Sequence, residues 1–182
     1  MAFDNIKSLW LYATYQCPAR CAHCLVDGRP EHGAWMSLED AESYIDALAP
    51  LQYVGIVGGE VLLKPDLTIA IGRLAKEKGV PKFMIAGSNC CWATNDERTR
   101  GVLSRLKEAE IDVGFSMDAF HQEYIPVENV KRACRIAREL GMGNTDRPDA
   151  VVLESMAGDN QWDRETRRLA ETFVERGFGV DI

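Results

Sequence analysis

Short apolar stretches alternate with amphipathic segments along most of the chain. The first stretch, Ser8 to Tyr15, is rich in aromatic and apolar residues and predicts a strand. Ser37 can cap a following helix, in which apolar residues recur at helical spacing as far as Leu48. Tyr53 to Val57 then predicts a second strand, so a strand–helix unit begins to repeat.

The same unit recurs through the rest of the chain. The later predicted elements are a helix over Asp66–Lys78, a strand over Lys82–Ala86, a helix capped by Asn95, a strand over Ile111–Met117, a helix over Pro126–Leu140, a strand over Ala150–Leu153, a helix over Trp162–Arg176 and the start of a strand at Phe178–Ile182. Strands that alternate with helices in this way pair in parallel through right-handed crossovers. The pattern predicts an α/β sheet that is curved or closed as part of a barrel.

Polar and reactive residues gather where the predicted strands end. In parallel α/β folds these ends share one edge, and such folds carry their chemistry there. Four segments fall at this edge: three cysteines after the first strand, Gly58–Glu60 after the second, Ser88–Cys91 after the third and Ser116–His121 after the fourth.

Composition and charge narrow the class of protein. The chain has 182 residues, of which 46% are apolar and 27% charged, as expected for one globular domain with a well-buried core. Its net charge of −7 argues against a nucleic-acid partner, because such binding depends on clustered Lys and Arg. No apolar run has membrane-spanning length and the first residues do not resemble a secretory signal, so we expect no membrane partner and a cytoplasmic location.

Six cysteines in such a compartment favour metal binding or redox chemistry over disulfides. Cys17, Cys21 and Cys24 form a C-x₃-C-x₂-C loop that can direct three thiolates at one centre. A structural zinc ion normally takes four protein ligands in paired C-x₂-C units, and His23 or His32 could supply the fourth. Three thiolates fit better with a four-iron cluster that leaves one iron to a non-protein ligand, although zinc and reactive thiols stay open on spacing alone.

This loop, together with the motifs that follow the later strands, resembles the radical S-adenosylmethionine (radical SAM) superfamily. The resemblance extends from Trp10 to about the fifth predicted strand. It implies a partial TIM-type (β/α)6 barrel with parallel strands, here truncated in the sixth unit. We therefore expect one radical SAM core domain over residues 1–182, incomplete at its C-terminus.

The resemblance also implies cofactors, a reaction and partners. Cys17, Cys21 and Cys24 would hold a [4Fe-4S] cluster, and S-adenosylmethionine would chelate the open iron. Reductive cleavage of S-adenosylmethionine would give a 5′-deoxyadenosyl radical that abstracts hydrogen from a peptide, protein or small-molecule substrate. An external electron donor such as a flavodoxin or ferredoxin is implied. The truncated sixth unit motivates an alternative, a non-catalytic iron–sulfur module or an inactive fragment of a larger enzyme.

Contacts to S-adenosylmethionine follow from the same resemblance. Gly58-Gly59-Glu60 matches the family's second motif, whose backbone and carboxylate meet the amino group of the cofactor. Glycines let the main chain approach a ligand closely, and a carboxylate satisfies an ammonium group. The other cofactor-binding residues implied are Ser116 at the carboxylate, Asp118, Ser88 and Asn89 at the ribose or in polar positioning, and His23 beside the adenine.

Several further residues keep two interpretations. A thiol of Cys90 or Cys91 could donate a hydrogen atom or bind an additional metal, but small residues lining a pocket are the simpler explanation. Cys134 falls on the apolar stripe of its helix and is expected to be buried. His121 could bind substrate or move protons, or could serve only in a capping loop.

Overall fold

A computed structural model describes residues 6–142, 153–154 and 160–174 of the chain. The strands form one parallel sheet in sequential order, each pairing with the next. They are β1 (Ser8–Thr14), β2 (Tyr53–Gly58), β3 (Lys82–Ser88), β4 (Asp112–Ser116) and β5 (Leu153–Glu154). The helices are α1 (Leu38–Leu48), α2 (Pro65–Glu77), α3 (Asp96–Glu108), α4 (Ala119–Gln122), α5 (Val127–Glu139) and α6 (Gln161–Val174), with a short 3₁₀ turn at Val61–Leu63.

Sequential strand order with a helix in each connection is the topology of a partial TIM-type barrel, and it confirms the predicted α/β class. The predicted strand Phe178–Ile182 lies outside the described residues. The turn at Val61–Leu63 and the four-residue helix α4 were not predicted, because both are too short to show a periodic pattern.

Local signals in the sequence set the ends of the helices. Ser37 forms a capping box with Asp40 at the start of α1, and the Asn95 side chain accepts the Arg98 amide at the start of α3. Gly79 and Gly141 follow α2 and α5 with positive φ, which glycine adopts without steric cost. These ends fix where each strand resumes.

The core lies between the sheet and the helices. Alternate strand residues and the apolar stripes of the helices form one buried cluster, which includes Leu11, Val54, Ile56, Phe83, Ile45, Ile71 and Leu103. Trp10 and Tyr12 alternate with Leu11 and remain about half exposed on the other face of the sheet. In the part of the chain that the structure covers, no helix is long and apolar enough to cross a membrane.

Candidate cluster and cofactor site

The loop that carries the three cysteines is held against the end of β2 by backbone hydrogen bonds. The Gly59 amide donates to the Thr14 carbonyl at 2.7 Å, and the Glu60 amide donates to the Gln16 carbonyl at 2.8 Å. The Cys17 amide donates to the Arg29 carbonyl at 3.1 Å, which closes the loop on itself. The cysteine loop and the Gly-Gly-Glu segment therefore lie side by side.

Both glycines of this segment are required by the close approach of the backbone between the end of β1 and the cysteine loop. A Cβ atom on Gly59 would lie 2.2 Å from the Gln16 carbonyl oxygen, and one on Gly58 would lie 2.1 Å from the Thr14 carbonyl oxygen. Gly58 also has a φ of +145°. The atoms nearest to the two added Cβ positions belong to Thr14, at the end of β1, and to Tyr15 and Gln16, which lead into the cysteine loop. The predicted close approach of a ligand to these glycines stays a prediction.

Two of the three loop thiols accept hydrogen bonds from nearby N–H groups. The Gly28 amide donates to Cys24 Sγ at 3.2 Å, and the Asn89 side-chain amide donates to Cys17 Sγ at 3.3 Å. Burial raises the pKa of Cys17 to about 11 and that of Cys21 to about 12. A bound cation or metal cluster reverses this penalty, because it stabilises the thiolate form.

At least one pair of the three loop thiols is farther apart than two sulfur ligands of a single zinc ion would be. Within the described residues, ligand atoms of His23, Asp118 and His121 all lie within 4.8 Å of one another. The Sγ atoms of Cys17, Cys21 and Cys24 do not form such a compact set. A tetrahedral zinc ion, with a Zn–S bond of about 2.3 Å, would bring its sulfur ligands to roughly 3.8 Å from one another. The donor set is thus compatible with the larger iron–sulfur group.

Glu60 joins the end of β2 to the end of β3. Its carboxylate is fully buried and accepts hydrogen bonds from the amides of Leu62 at 2.9 Å and Asn89 at 2.8 Å. The Ser88 hydroxyl lies 3.1 and 3.0 Å from its two oxygens. Burial raises the pKa of Glu60 to about 7, although these hydrogen bonds oppose the rise.

Asp118 connects the end of β4 to the cysteine loop. One carboxylate oxygen accepts the His121 amide at 2.9 Å and caps α4, while the other lies 2.7 Å from His121 Nδ1 and 3.2 Å from His23 Nε2. Burial acts to raise the pKa of Asp118, but the hydrogen bonds from His121 and His23 outweigh it and hold that pKa well below its usual range. The carboxylate therefore stays ionised beside two imidazole rings.

An aromatic stack extends from the cysteine loop to α6. The ring of His23 stacks on Phe120 with centroids 4.5 Å apart, and Phe120 stacks on Trp162 at 4.8 Å. His23 Nδ1 is buried and has no hydrogen-bond partner in the described part of the chain. Sequence reasoning missed Phe120 and Trp162, because no local pattern links two aromatic residues so far apart.

The remaining cysteines separate into different environments. Cys90 is fully buried in the main core, and burial raises its pKa well above the usual value. Cys134 is also fully buried in the core, as predicted. Cys91 is partly exposed and packs against the small cluster that contains Cys17, Ala19 and Ile125. Of the pair after β3, only Cys91 therefore faces the cysteine loop.

Ser116, the other predicted cofactor contact, is the last residue of β4 and is largely buried. It lies at the same edge of the sheet as the Gly-Gly-Glu segment, Ser88 and Asn89. The structure thus gathers every sequence-predicted site residue at the carboxyl ends of the first four strands.

Comparison with known proteins agrees with this geometry. The family model of the radical SAM superfamily matches residues 11–173, and the chain therefore belongs to that superfamily. Its fold is similar to the solved structure of native anSMEcpe with bound AdoMet and Cp18Cys peptide, with a TM-score of 0.62 and 19% sequence identity. The match covers 95% of this chain and 49% of that one, so the chain spans about half the length of this relative.

Proposed function

We propose that this protein is a radical SAM enzyme that holds one [4Fe-4S] cluster on Cys17, Cys21 and Cys24. When bound and reduced, the cluster would supply the electron that splits S-adenosylmethionine into methionine and a 5′-deoxyadenosyl radical, and this radical would take a hydrogen atom from a substrate. The observation that carries the proposal is the junction of the cysteine loop with Gly59 and Glu60 at the end of β2. Superfamily membership over residues 11–173 supports it.

The chain's own residues would bind and orient the cofactor around this junction. We assign the main chain of Gly58 and Gly59 to the amino group of S-adenosylmethionine and Ser116 to its carboxylate. The buried Glu60 carboxylate already accepts hydrogen bonds from protein groups, which favours a supporting role for it. Asp118 would meet the ribose from the end of β4.

His23 would lie beside the adenine. Its Nδ1 atom lacks a partner within the described residues, and that nitrogen is free to accept a hydrogen bond from the adenine amino group. Stacking on Phe120 and the contact with Asp118 hold the ring in place. This arrangement supports a role for His23 in cofactor binding rather than as a solvated loop residue.

The reaction requires an electron from outside the chain, and a flavodoxin or ferredoxin is the proposed donor. Peptides are the first substrate class to test, because the structural relative was solved with a bound peptide. Proteins and small molecules follow as candidates. Deuterated candidates would identify the substrate, since abstraction transfers label to 5′-deoxyadenosine.

The decisive experiment is anaerobic reconstitution followed by reduction in the presence of S-adenosylmethionine. We expect about four iron atoms per chain and formation of 5′-deoxyadenosine. Cys17→Ser, Cys21→Ser and Cys24→Ser should each lose the intact cluster and the product. Cys134→Ser is the matched control, because this thiol is buried in the core away from the loop.

Three results would contradict the proposal in different ways. Stoichiometric zinc without iron would point to a structural zinc protein. A full cluster that binds S-adenosylmethionine but yields no 5′-deoxyadenosine would favour the non-catalytic iron–sulfur module. A full cluster in a variant that lacks all three loop cysteines would remove the assigned ligands.

A further inference from the structure

The side chain of Asn89 links the end of β3 to a cysteine of the loop. Its Nδ2 group donates to Cys17 Sγ at 3.3 Å, and its Oδ1 atom accepts the backbone amide of Cys91 at 3.0 Å. The Cys91 amide needs an acceptor, so it fixes which end of the Asn89 amide group faces the sulfur. Asn89 is almost fully buried, which keeps water from competing for the thiol.

A second layer of hydrogen bonds holds Asn89 in this position. The Glu60 carboxylate accepts a hydrogen bond from the Asn89 backbone amide at 2.8 Å. The Ser88 hydroxyl lies almost equally far from its two oxygens, at 3.1 and 3.0 Å. Ser88 Oγ also accepts the Trp92 indole N–H at 2.8 Å. Among the described residues, the Glu60 carboxylate accepts hydrogen bonds from Leu62, two residues further along, and from Ser88 and Asn89 at the end of β3. The carboxylate therefore acts on the cysteine loop through Asn89.

A hydrogen bond to a cluster sulfur favours the reduced state. Reduction adds negative charge to the cluster and its ligand sulfurs, and a charge-assisted N–H···S contact strengthens as that charge grows. Loss of such a donor makes the cluster harder to reduce. The effect appears in the potential of the cluster even when no S-adenosylmethionine is bound.

We propose that Asn89 raises the reduction potential of the cluster through its hydrogen bond to Cys17, and that Glu60 is a positioning residue that holds Asn89 there. The inference rests on the proposed function, because it requires Cys17 to be a cluster ligand. It assigns to these two residues a task beyond contact with S-adenosylmethionine.

The test is a redox titration of the reconstituted full chain without S-adenosylmethionine, followed by electron paramagnetic resonance of the reduced cluster. Asn89→Leu removes the donor and should lower the midpoint potential by about 59 mV, which corresponds to a tenfold change in the one-electron equilibrium. Asn89→Asp keeps the shape and the acceptor for the Cys91 amide but places negative charge near the sulfur. It should lower the potential further.

Glu60→Gln tests the positioning role. Glutamine keeps the size of the side chain but turns an N–H₂ group toward the buried donors that Glu60 accepts from. Asn89 should therefore shift, and the midpoint potential should fall by less than it does in Asn89→Leu. If Glu60 served only the amino group of S-adenosylmethionine, the affinity for this cofactor would change and the potential without it would not. Glu110 is an exposed carboxylate that pairs with Lys76. Glu110→Gln makes the same chemical change there, so it is the matched control and should leave the potential unchanged.

The outcomes separate this inference from the proposed function. If the wild-type chain assembles no iron–sulfur cluster, the proposed function fails. If all variants hold about four iron atoms and both Asn89 variants share the wild-type potential, the inference about Asn89 is wrong. If Asn89 variants shift the potential and Glu60→Gln does not, the positioning role of Glu60 is wrong.

Discussion

Two glycines allow the cysteine loop to reach the end of β2. The backbone from Thr14, at the end of β1, to Gln16 passes so close to Gly58 and Gly59 that neither position has room for a Cβ atom. The cost of a side chain here is a displaced backbone, since the blocking atoms are the carbonyl groups of Thr14 and Gln16. A substitution at Gly59 should therefore displace Gln16 and, beside it, Cys17, one of the proposed cluster ligands.

We expect Gly59→Ala to destabilise the chain by about 1–3 kcal/mol and to lower the iron content after reconstitution, because the added methyl group displaces Gln16 beside Cys17. Chemical unfolding and iron analysis measure the two effects. Gly101→Ala is the control: this glycine lies within α3 with open space around it, and alanine there should stabilise the helix by about 0.5–1 kcal/mol. Equal stability and iron content in the two variants would contradict the close packing at Gly59.

Glu60 should give the stability of the cluster-free chain a specific pH dependence. Its pKa rises from 4.5 to about 7 on folding, so the folded chain holds this proton more tightly than the unfolded chain. Proton binding by Glu60 therefore stabilises the folded chain fully below about pH 4.5, and this stabilisation is lost as the pH increases through about 7. Across this window, the free energy of unfolding of the wild-type chain should fall by about 3 kcal/mol relative to that of Glu60→Gln. Urea unfolding of both proteins measures it, and parallel pH profiles would refute it.

Among the structural elements, α6 is attached to the site through the short helix α4. The Ala119 amide at the start of α4 donates to Thr166 Oγ1 at 3.0 Å, and Trp162 stacks on Phe120. Phe120 in turn supports His23 in the cysteine loop. The position of α6 therefore bears on the loop although the two are distant in sequence.

Thr166→Val should destabilise the chain by about 1–3 kcal/mol, because it leaves the buried Ala119 amide without its acceptor. Thr172→Val is the matched substitution in the same helix. Thr172 is exposed and its hydroxyl donates only to the Leu169 carbonyl one turn earlier, so the change should stay within about 0.5 kcal/mol. Similar losses for the two variants in chemical unfolding would show that the contact with α4 adds little.

At the scale of the whole molecule, the ends of β2, β3 and β4 all contact the cysteine loop. Hydrogen bonds from Gly59 and Asn89, the contact between Asp118 and His23 and a small apolar cluster join them to it. A cluster bound to three thiolates would add covalent links within this loop. Binding to the folded chain alone raises its stability by mass action. We therefore expect the melting temperature to rise on anaerobic reconstitution and to fall again when oxidation and a chelator remove the iron.

Differential scanning calorimetry of the two forms measures this change. Cys21→Ser is the control, because it lacks one proposed ligand and should melt at the same temperature with or without the iron treatment. A wild-type melting temperature that does not respond to reconstitution would contradict coupling between the cluster and the fold. The hydrogen bonds and stacking contacts of the loop, such as those at Gly59 and His23, would then hold it without help from a cluster.

Much of the fold could be predicted from the sequence, because its signals are local. The 2-residue and 3.6-residue periodicities gave the strand–helix alternation, and capping residues such as Ser37 and Asn95 marked helix starts that the structure confirms. The short helix α4 has too few residues to carry such a pattern. Its cap, Asp118, was predicted as a cofactor contact, with a turn or cap role as the alternative.

The sequence by itself determined the family, the parallel α/β class and the edge of the sheet where the motifs meet, since motif spacing and chain periodicity are properties of neighbouring residues. Only the tertiary structure decided which partner each polar side chain takes. Asn89 and Cys17 are 72 positions apart, and Glu60 and Ser88 are 28 apart. Contacts across such separations depend on how strands pair and loops pack, so the orientation of Glu60 toward β3 and of Asp118 toward His23 emerges only when the sheet is assembled.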